Sequence, residues 1–270
     1  MRGFGWSLIL LLWPLWVGAG ELHWRGQWTQ GGLIVGQAPP GTRLELDRQA
    51  VPVSPEGAFV FGFHRDAPPV ARLRAVFPDG SRDERQLTIS PRQYDIQRLD
   101  GLPSSKVTPP PAVLARIRRE NAQVAAVRRE EIPRAYFLSG FAWPVTGRIS
   151  GVYGSQRILN GEPRQPHYGV DIARPVGTPV RAPADGIVTL AEPDLYYSGA
   201  TLIIDHGYQL SSTLMHLDRI DVRVGQPVRK GDVVATVGKS GRVTGPHLDW
   251  RMNWREARID PALIVPLMPR

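Results

Sequence analysis

Two short stretches hold residues of metal-binding type at spacings that bring their side chains together. Near the C-terminus the chain reads GPHLDWRMNW, Gly245 to Trp254. Leu248, Trp250 and Met252 take alternate apolar positions, so the segment reads as a strand. Residues i and i+2 of a strand share a face, which sets His247 beside Asp249. A histidine and a carboxylate so placed are either two halves of a metal site or a strand edge facing water. Upstream, Pro166 to Ala173 reads PHYGVDIA. As a strand it gathers His167, Gly169 and Asp171 on one face, with Val170 and Ile172 on the other. As a helix it still joins positions i and i+4. Gly169 leaves room for an ion between the two ligands. Imidazole and carboxylate suit zinc, at ligand distances of roughly 2.0–2.2 Å. The chain has no cysteine, so thiolate ligands and disulfides are excluded, and any metal must be held by His, Asp or Glu.

Four of the six histidines lie in the last part of the chain: His167, His206, His216 and His247. They sit within an ordered series of motifs. HYGVDIARPVGTPVRAPADGIV runs from His167 to Val188, and LIIDHG from Leu202 to Gly207. TLMHL spans Thr213 to Leu217, GQPVRKGDVVATVG spans Gly225 to Gly238, and TGPHLD spans Thr244 to Asp249. This series resembles the LytM/lysostaphin-type zinc endopeptidases, which cleave peptide cross-links of bacterial cell walls. The resemblance implies a mainly β fold, with a C-terminal β-sandwich or hybrid-motif peptidase domain and an open groove. It implies one Zn²⁺ per chain, with His167 and Asp171 as two ligands and His216 and His247 as the catalytic histidines. These two would hydrogen-bond the attacking water and stabilise the tetrahedral intermediate. Zinc would acidify that water toward a pKa of about 7 and polarise the scissile carbonyl. His206 has no assigned role and reads as structural.

The departure is Asp249, which stands where the resembled family has its third histidine ligand. In one reading Asp249 ligates zinc, at an electronic cost: two carboxylates formally neutralise Zn²⁺, so the water is less acidified. In the other the site is impaired, and the domain binds cell wall or activates a partner wall hydrolase. The retention of His167, Asp171, His216 and His247 together favours Asp249 as the third ligand.

Elements that position these residues follow from texture. The 270 residues, 42% hydrophobic and 8% aromatic, suit two modest domains with real cores. Arg2, the apolar run Leu8 to Val17 and the small residues Gly18-Ala19-Gly20 make residues 1–20 an export signal, with an uncleaved anchor as the alternative. Residues 21–100 carry short alternating runs between tight turns, as in a small β-sandwich. His23 and His64 have no spaced partners there and read as structural or surface residues. Residues 101–136 hold a proline-rich linker, Leu102 to Pro111, and a helix from Ala112 to about Glu131. Val113, Ile117, Val124 and Val127 share its apolar stripe, while Arg116, Arg118, Arg119, Arg128 and Arg129 cover the outer face. Residues 137–270 form the peptidase-like domain. The formal charge of +8 reflects 30 Arg and 3 Lys. Export argues against nucleic acid and points to peptidoglycan peptide, with anionic envelope components as further partners.

Overall fold

Short alternating apolar and polar runs fill much of residues 21–90, and strands form there. The computed structural model describes residues 20–99, 111–159 and 161–269. The expected export signal and proline-rich linker lie outside these, apart from Gly20 and Pro111. The first eight strands are β1 (His23–Gly26), β2 (Leu33–Gln37), β3 (Arg43–Leu46), β4 (Gln49–Val51), β5 (Ala58–Gly62), β6 (Val70–Val76), β7 (Arg82–Thr88) and β8 (Ile96–Leu99). One antiparallel sheet has the order β1-β2-β5 and a second β4-β3-β6-β7. Strand β6 shows the cause: Ala71, Leu73 and Ala75 are buried while Val70, Arg72 and Arg74 face out, the period of a half-buried strand. The inner faces bury Ile34, Phe59, Phe61 and Leu73, each worth about 1.5–3 kcal/mol of apolar transfer.

Helix α1 (Pro111–Arg129) opens on a proline, tolerated there because the first turn has no acceptor for its missing N–H. Ile117 of the expected stripe is buried, and Val113, Val124 and Val127 are half-buried. Two arginines expected on the outer face reach across to the neighbouring strands instead, Arg116 at the surface and Arg128 beneath the helix. Arg116 reaches the Asp194 carboxylate at 3.0 Å, and Arg128 donates to the Thr213 hydroxyl at 2.8 Å. The apolar stripe is too narrow to fill the contact. The long arginine stems complete it and carry their heads to acceptors on the strands below.

The remaining strands are β9 (Arg148–Gly151), β10 (Gln156–Leu159), β11 (Glu162–Pro163), β12 (Gly169–Ala173), β13 (Pro179–Arg181), β14 (Gly186–Leu195), β15 (Gly199–Asp205), β16 (Leu210–Ile220), β17 (Pro227–Val228), β18 (Val233–Val237), β19 (His247–Trp254) and β20 (Ala257–Ile259). Most join one sheet of order β17-β14-β15-β16-β19-β12-β9, with β18 bridging β16 and β13, and β20 beside β19. Every residue of β15 is buried, as a central strand covered on both faces must be. Leu248, Trp250 and Met252 are fully buried, which leaves the alternate face of β19 for chemistry. Strand β8 pairs in parallel with β10, so a small sheet links the two halves of the chain. Arg65, itself buried, donates to the Gly154 carbonyl at 2.9 Å, and Arg92 pairs with buried Asp260 at 2.8 Å. Among the described residues no helix is long and apolar enough to cross a membrane.

One buried carboxyl makes the fold pH-sensitive. Burial pushes Asp205 up to about 7, against the Gly207 N–H that donates to its Oδ1 at 2.6 Å. A folded-state value above the unfolded one stabilises fully at low pH and loses that contribution as pH rises through about 7. Asp205→Asn keeps the acceptor and removes the charge. Wild type should lose on the order of a few kcal/mol between pH 4 and 8 that the variant retains. Chemical denaturation midpoints at both ends measure this; equal losses in both proteins would refute it.

Candidate active site

Strands β12 and β19 are antiparallel neighbours, and their register sets Asp171 directly opposite Asp249. Two carboxylates facing each other across a ladder repel unless a cation lies between them. His167 approaches that gap from outside the strand. It precedes β12 by two residues, so the alternation that would have aligned it with Gly169 and Asp171 does not carry it. Instead its backbone N–H donates to the Ser155 carbonyl and its own carbonyl accepts from Gly154. The ring Nε2 comes to 3.1 Å from Asp171 Oδ1 and 3.3 Å from Asp249 Oδ2, with Nδ1 3.2 Å from the Val152 carbonyl. Burial works against protonation of this ring. The two carboxylates outweigh it and hold His167 up to about 10. The donor atoms of His167, Asp171 and Asp249 lie within 4.8 Å of one another. Asp171 Oδ1 is buried and accepts no hydrogen bond among the described residues.

Two glycines make room for this group. A Cβ on Gly169 would stand 2.5 Å from Asp249 Oδ1, and one on Gly151 would collide with the Asp171 carboxylate. Any side chain at either position would push a carboxylate out of the cluster.

Behind Asp249 lies a residue that the sequence reading passed over. Arg251 Nη2 donates to Asp249 Oδ2 at 2.7 Å, and its Nε lies 3.1 Å from both carboxylate oxygens. Burial alone would raise the Asp249 carboxyl. The Arg251 guanidinium and His167 reverse this and hold it well below the usual carboxylate range. The signal was in the sequence, since Arg251 sits two residues after Asp249 and shares its face.

His216 and His247 stand beside the cluster, their ring centroids 5.0 Å apart. His247 Nδ1 lies 2.9 Å from the Gly245 carbonyl, which fixes that nitrogen as the donor and turns Nε2 toward Asp171 Oδ1 at 3.8 Å. His216 Nδ1 is likewise held by the Ser240 carbonyl at 3.0 Å, and burial lowers its pKa. A carbonyl on Nδ1 leaves each Nε2 unprotonated in the neutral ring. His216 also has a φ of +61°. Between Leu214 and Leu217, β16 carries an extra residue relative to β15, and this bulge turns Met215 and His216 to the groove together. Spacing alone does not announce that bulge.

The other histidines stay apart from this group. His206 is fully buried, with Nδ1 on the Asp185 carbonyl at 2.7 Å and Nε2 on the Ser212 hydroxyl at 2.8 Å. Burial brings its pKa down to about 4. His64 packs edge-on against Tyr168, and His23 is exposed.

The cluster opens into a groove of about 1640 Å³, walled on one side by Glu120, Val124 and Arg128 of α1 and floored by β16 and β19. Residues 165–261 match the model of peptidase family M23. Two Vibrio cholerae relatives, the peptidoglycan DD-endopeptidases ShyB and ShyA, are 35% and 36% identical over 53% and 44% of this chain. The chain spans about a third of their own length, 31% and 29%. A crystal structure from Pseudomonas aeruginosa that carries the peptidase M23 designation superposes with a TM-score of 0.66 at 31% identity, over 87% of this chain and 94% of that one. That likeness runs through both the N-terminal sheets and the groove, and the chain belongs to peptidase family M23.

Proposed function

We propose that this chain is an exported zinc endopeptidase that hydrolyses peptide cross-links of bacterial peptidoglycan. The observation that carries the reading is the convergence of His167, Asp171 and Asp249 on one point, with two imidazoles beside it at the base of an open groove. The DD-endopeptidase relatives support the substrate class. The donor set fits a divalent cation: two facing carboxylates and one imidazole, one buried carboxylate oxygen without a hydrogen bond, and glycines where a Cβ would intrude.

His167, Asp171 and Asp249 would hold the zinc, which supplies Lewis acidity to the scissile carbonyl and to the attacking water. Arg251 answers the electronic objection to two carboxylates. Asp171, Asp249 and Arg251 sum to a charge of −1, the same as a set of two histidines and one aspartate. His216 and His247 supply proton transfer. Each is fixed by a carbonyl on Nδ1, so its Nε2 accepts a proton and later returns it to the leaving amine. Peptide lying along β19 would meet those nitrogens from the groove side.

The full chain, purified, should hold one zinc per molecule by elemental analysis and release soluble fragments from wall sacculi. His216→Ala should keep the metal while hydrolysis falls about 10²- to 10⁴-fold, the usual contribution of a positioned acid–base group. Zinc-free wild type that leaves sacculi intact would refute the reading.

A further inference from the structure

The groove is more basic than hydrolysis requires. Along β19 the groove-facing residues run Asp249, Arg251, Asn253. Arg258 of β20 pairs opposite Asn253 and donates to its Oδ1 at 3.2 Å. Across the groove, Arg128 descends from α1 to Thr213, the cross-strand partner of Arg251. Three guanidinium groups therefore face one stretch of floor, and Arg251 alone among them is ion-paired, to Asp249. Among the described residues neither Arg128 nor Arg258 is salt-bridged to a carboxylate, and buried Arg128 Nε has no hydrogen-bond partner.

We propose that Arg128 and Arg258 form an anion subsite that receives a free carboxylate of the substrate peptide. The inference rests on the peptidase reading and names a feature of its substrate. Residues 251 and 253 stand about 7 and 13 Å from Asp249 along the strand, so the carboxylate would lie two to four residues from the scissile bond of an extended peptide. Paired guanidiniums take a carboxylate through several charge-assisted bonds at once. Glu256 lies near enough to favour both cations but forms no salt bridge with either, and a ligand carboxylate would complete the neutralisation. The shortfall appears in the pKa values: burial, then Arg258 and Arg251, bring Arg128 down to about 9, and burial followed by Arg251 lowers Arg258. The arrangement also gives α1 a role, since it supplies one wall of the subsite. A peptide is favoured over a bulkier anionic polymer because the arginines share a single groove with the His167 cluster.

The experiment compares cross-linked wall peptides, untreated and with carboxylates converted to amides by carbodiimide and ammonia. Binding of labelled peptides to the full chain in chelator is read by fluorescence anisotropy, so affinity is separated from cleavage. Wild type should bind the untreated peptide at least tenfold more tightly than the amidated one. Arg128→Gln and Arg258→Gln should each shrink that ratio, and the double variant should bring it within twofold. Circular dichroism checks folding, and Arg258→Lys should retain part of the preference. Equal affinities in wild type, or an unchanged ratio in the folded double variant, would overturn the subsite. A wild type that discriminates yet cleaves neither peptide once zinc is restored would sink the peptidase reading and leave the subsite standing.

Discussion

Asp171→Asn should strip the bound metal and lower wall-peptide hydrolysis by at least about 10³-fold, some 4 kcal/mol of transition-state stabilisation. The substitution keeps the shape of the side chain and removes one of two negative charges. Asp171 is the ligand with least else to do: its Oδ1 is buried, accepts no hydrogen bond among the described residues and faces His167 at 3.1 Å. Without that charge His167 and Asp249 remain as two donors, too few for the closed side of a catalytic zinc site. Elemental analysis and sacculus digestion read the two losses. A thermal melt separates them from misfolding, since ligand binding stabilises the native state by mass action. The melting temperature of wild type should fall on adding chelator, while that of Asp171→Asn should stay where it is. A variant that keeps one zinc per chain would remove Asp171 from the metal site.

The mainly β fold was legible before any coordinates, and so were the residue types that meet in the candidate cluster. The alternation of Leu248, Trp250 and Met252 gave β19 and its polar face, and the same logic gave β6. Gly169 was readable as space for an ion because side chains two apart on a strand share a face. Other features depend on what lies across the fold. The bulge that turns His216 into the groove depends on β16 carrying one more residue than β15 opposite it, a difference no local pattern contains. The reach of Arg116 and Arg128 toward the strands followed from acceptors on Asp194 and Thr213, roughly 80 residues away in sequence. Arg251 is the instructive omission. Its position beside Asp249 was readable, yet a charged residue on a strand face is usually solvated, and nothing local signals the burial that turns it into a partner.

That partner changes what histidine at position 249 would do. Compared with the resembled family alone, Asp249→His looks like a repair that should strengthen zinc binding. In this fold it leaves Arg251, half-buried, without its anion and beside the site meant for a dication. Breaking a fully buried ion pair by removing one member costs about 3–5 kcal/mol because the other charge is stranded, and the partial exposure of Arg251 brings the cost here below that. Much of that cost would fall on the metal-bound state, where the added cation sharpens the repulsion. Asp249→His should therefore bind zinc at least about 10²-fold more weakly than wild type. Adding Arg251→Gln removes the stranded charge, and Asp249→His/Arg251→Gln should recover most of the affinity. Arg251→Gln alone should also weaken hydrolysis, because the remaining cluster of Asp171 and Asp249 carries −2 and acidifies the attacking water less. The coupling is the decisive quantity: in zinc affinity, the loss caused by Asp249→His should shrink once Arg251 is also replaced, so the two substitutions in contact should not add. Zinc competition titrations on all four proteins measure it. Additive losses would mean that Arg251 and Asp249 act separately, and an Asp249→His protein that binds zinc as tightly as wild type would mean that Arg251 is a bystander.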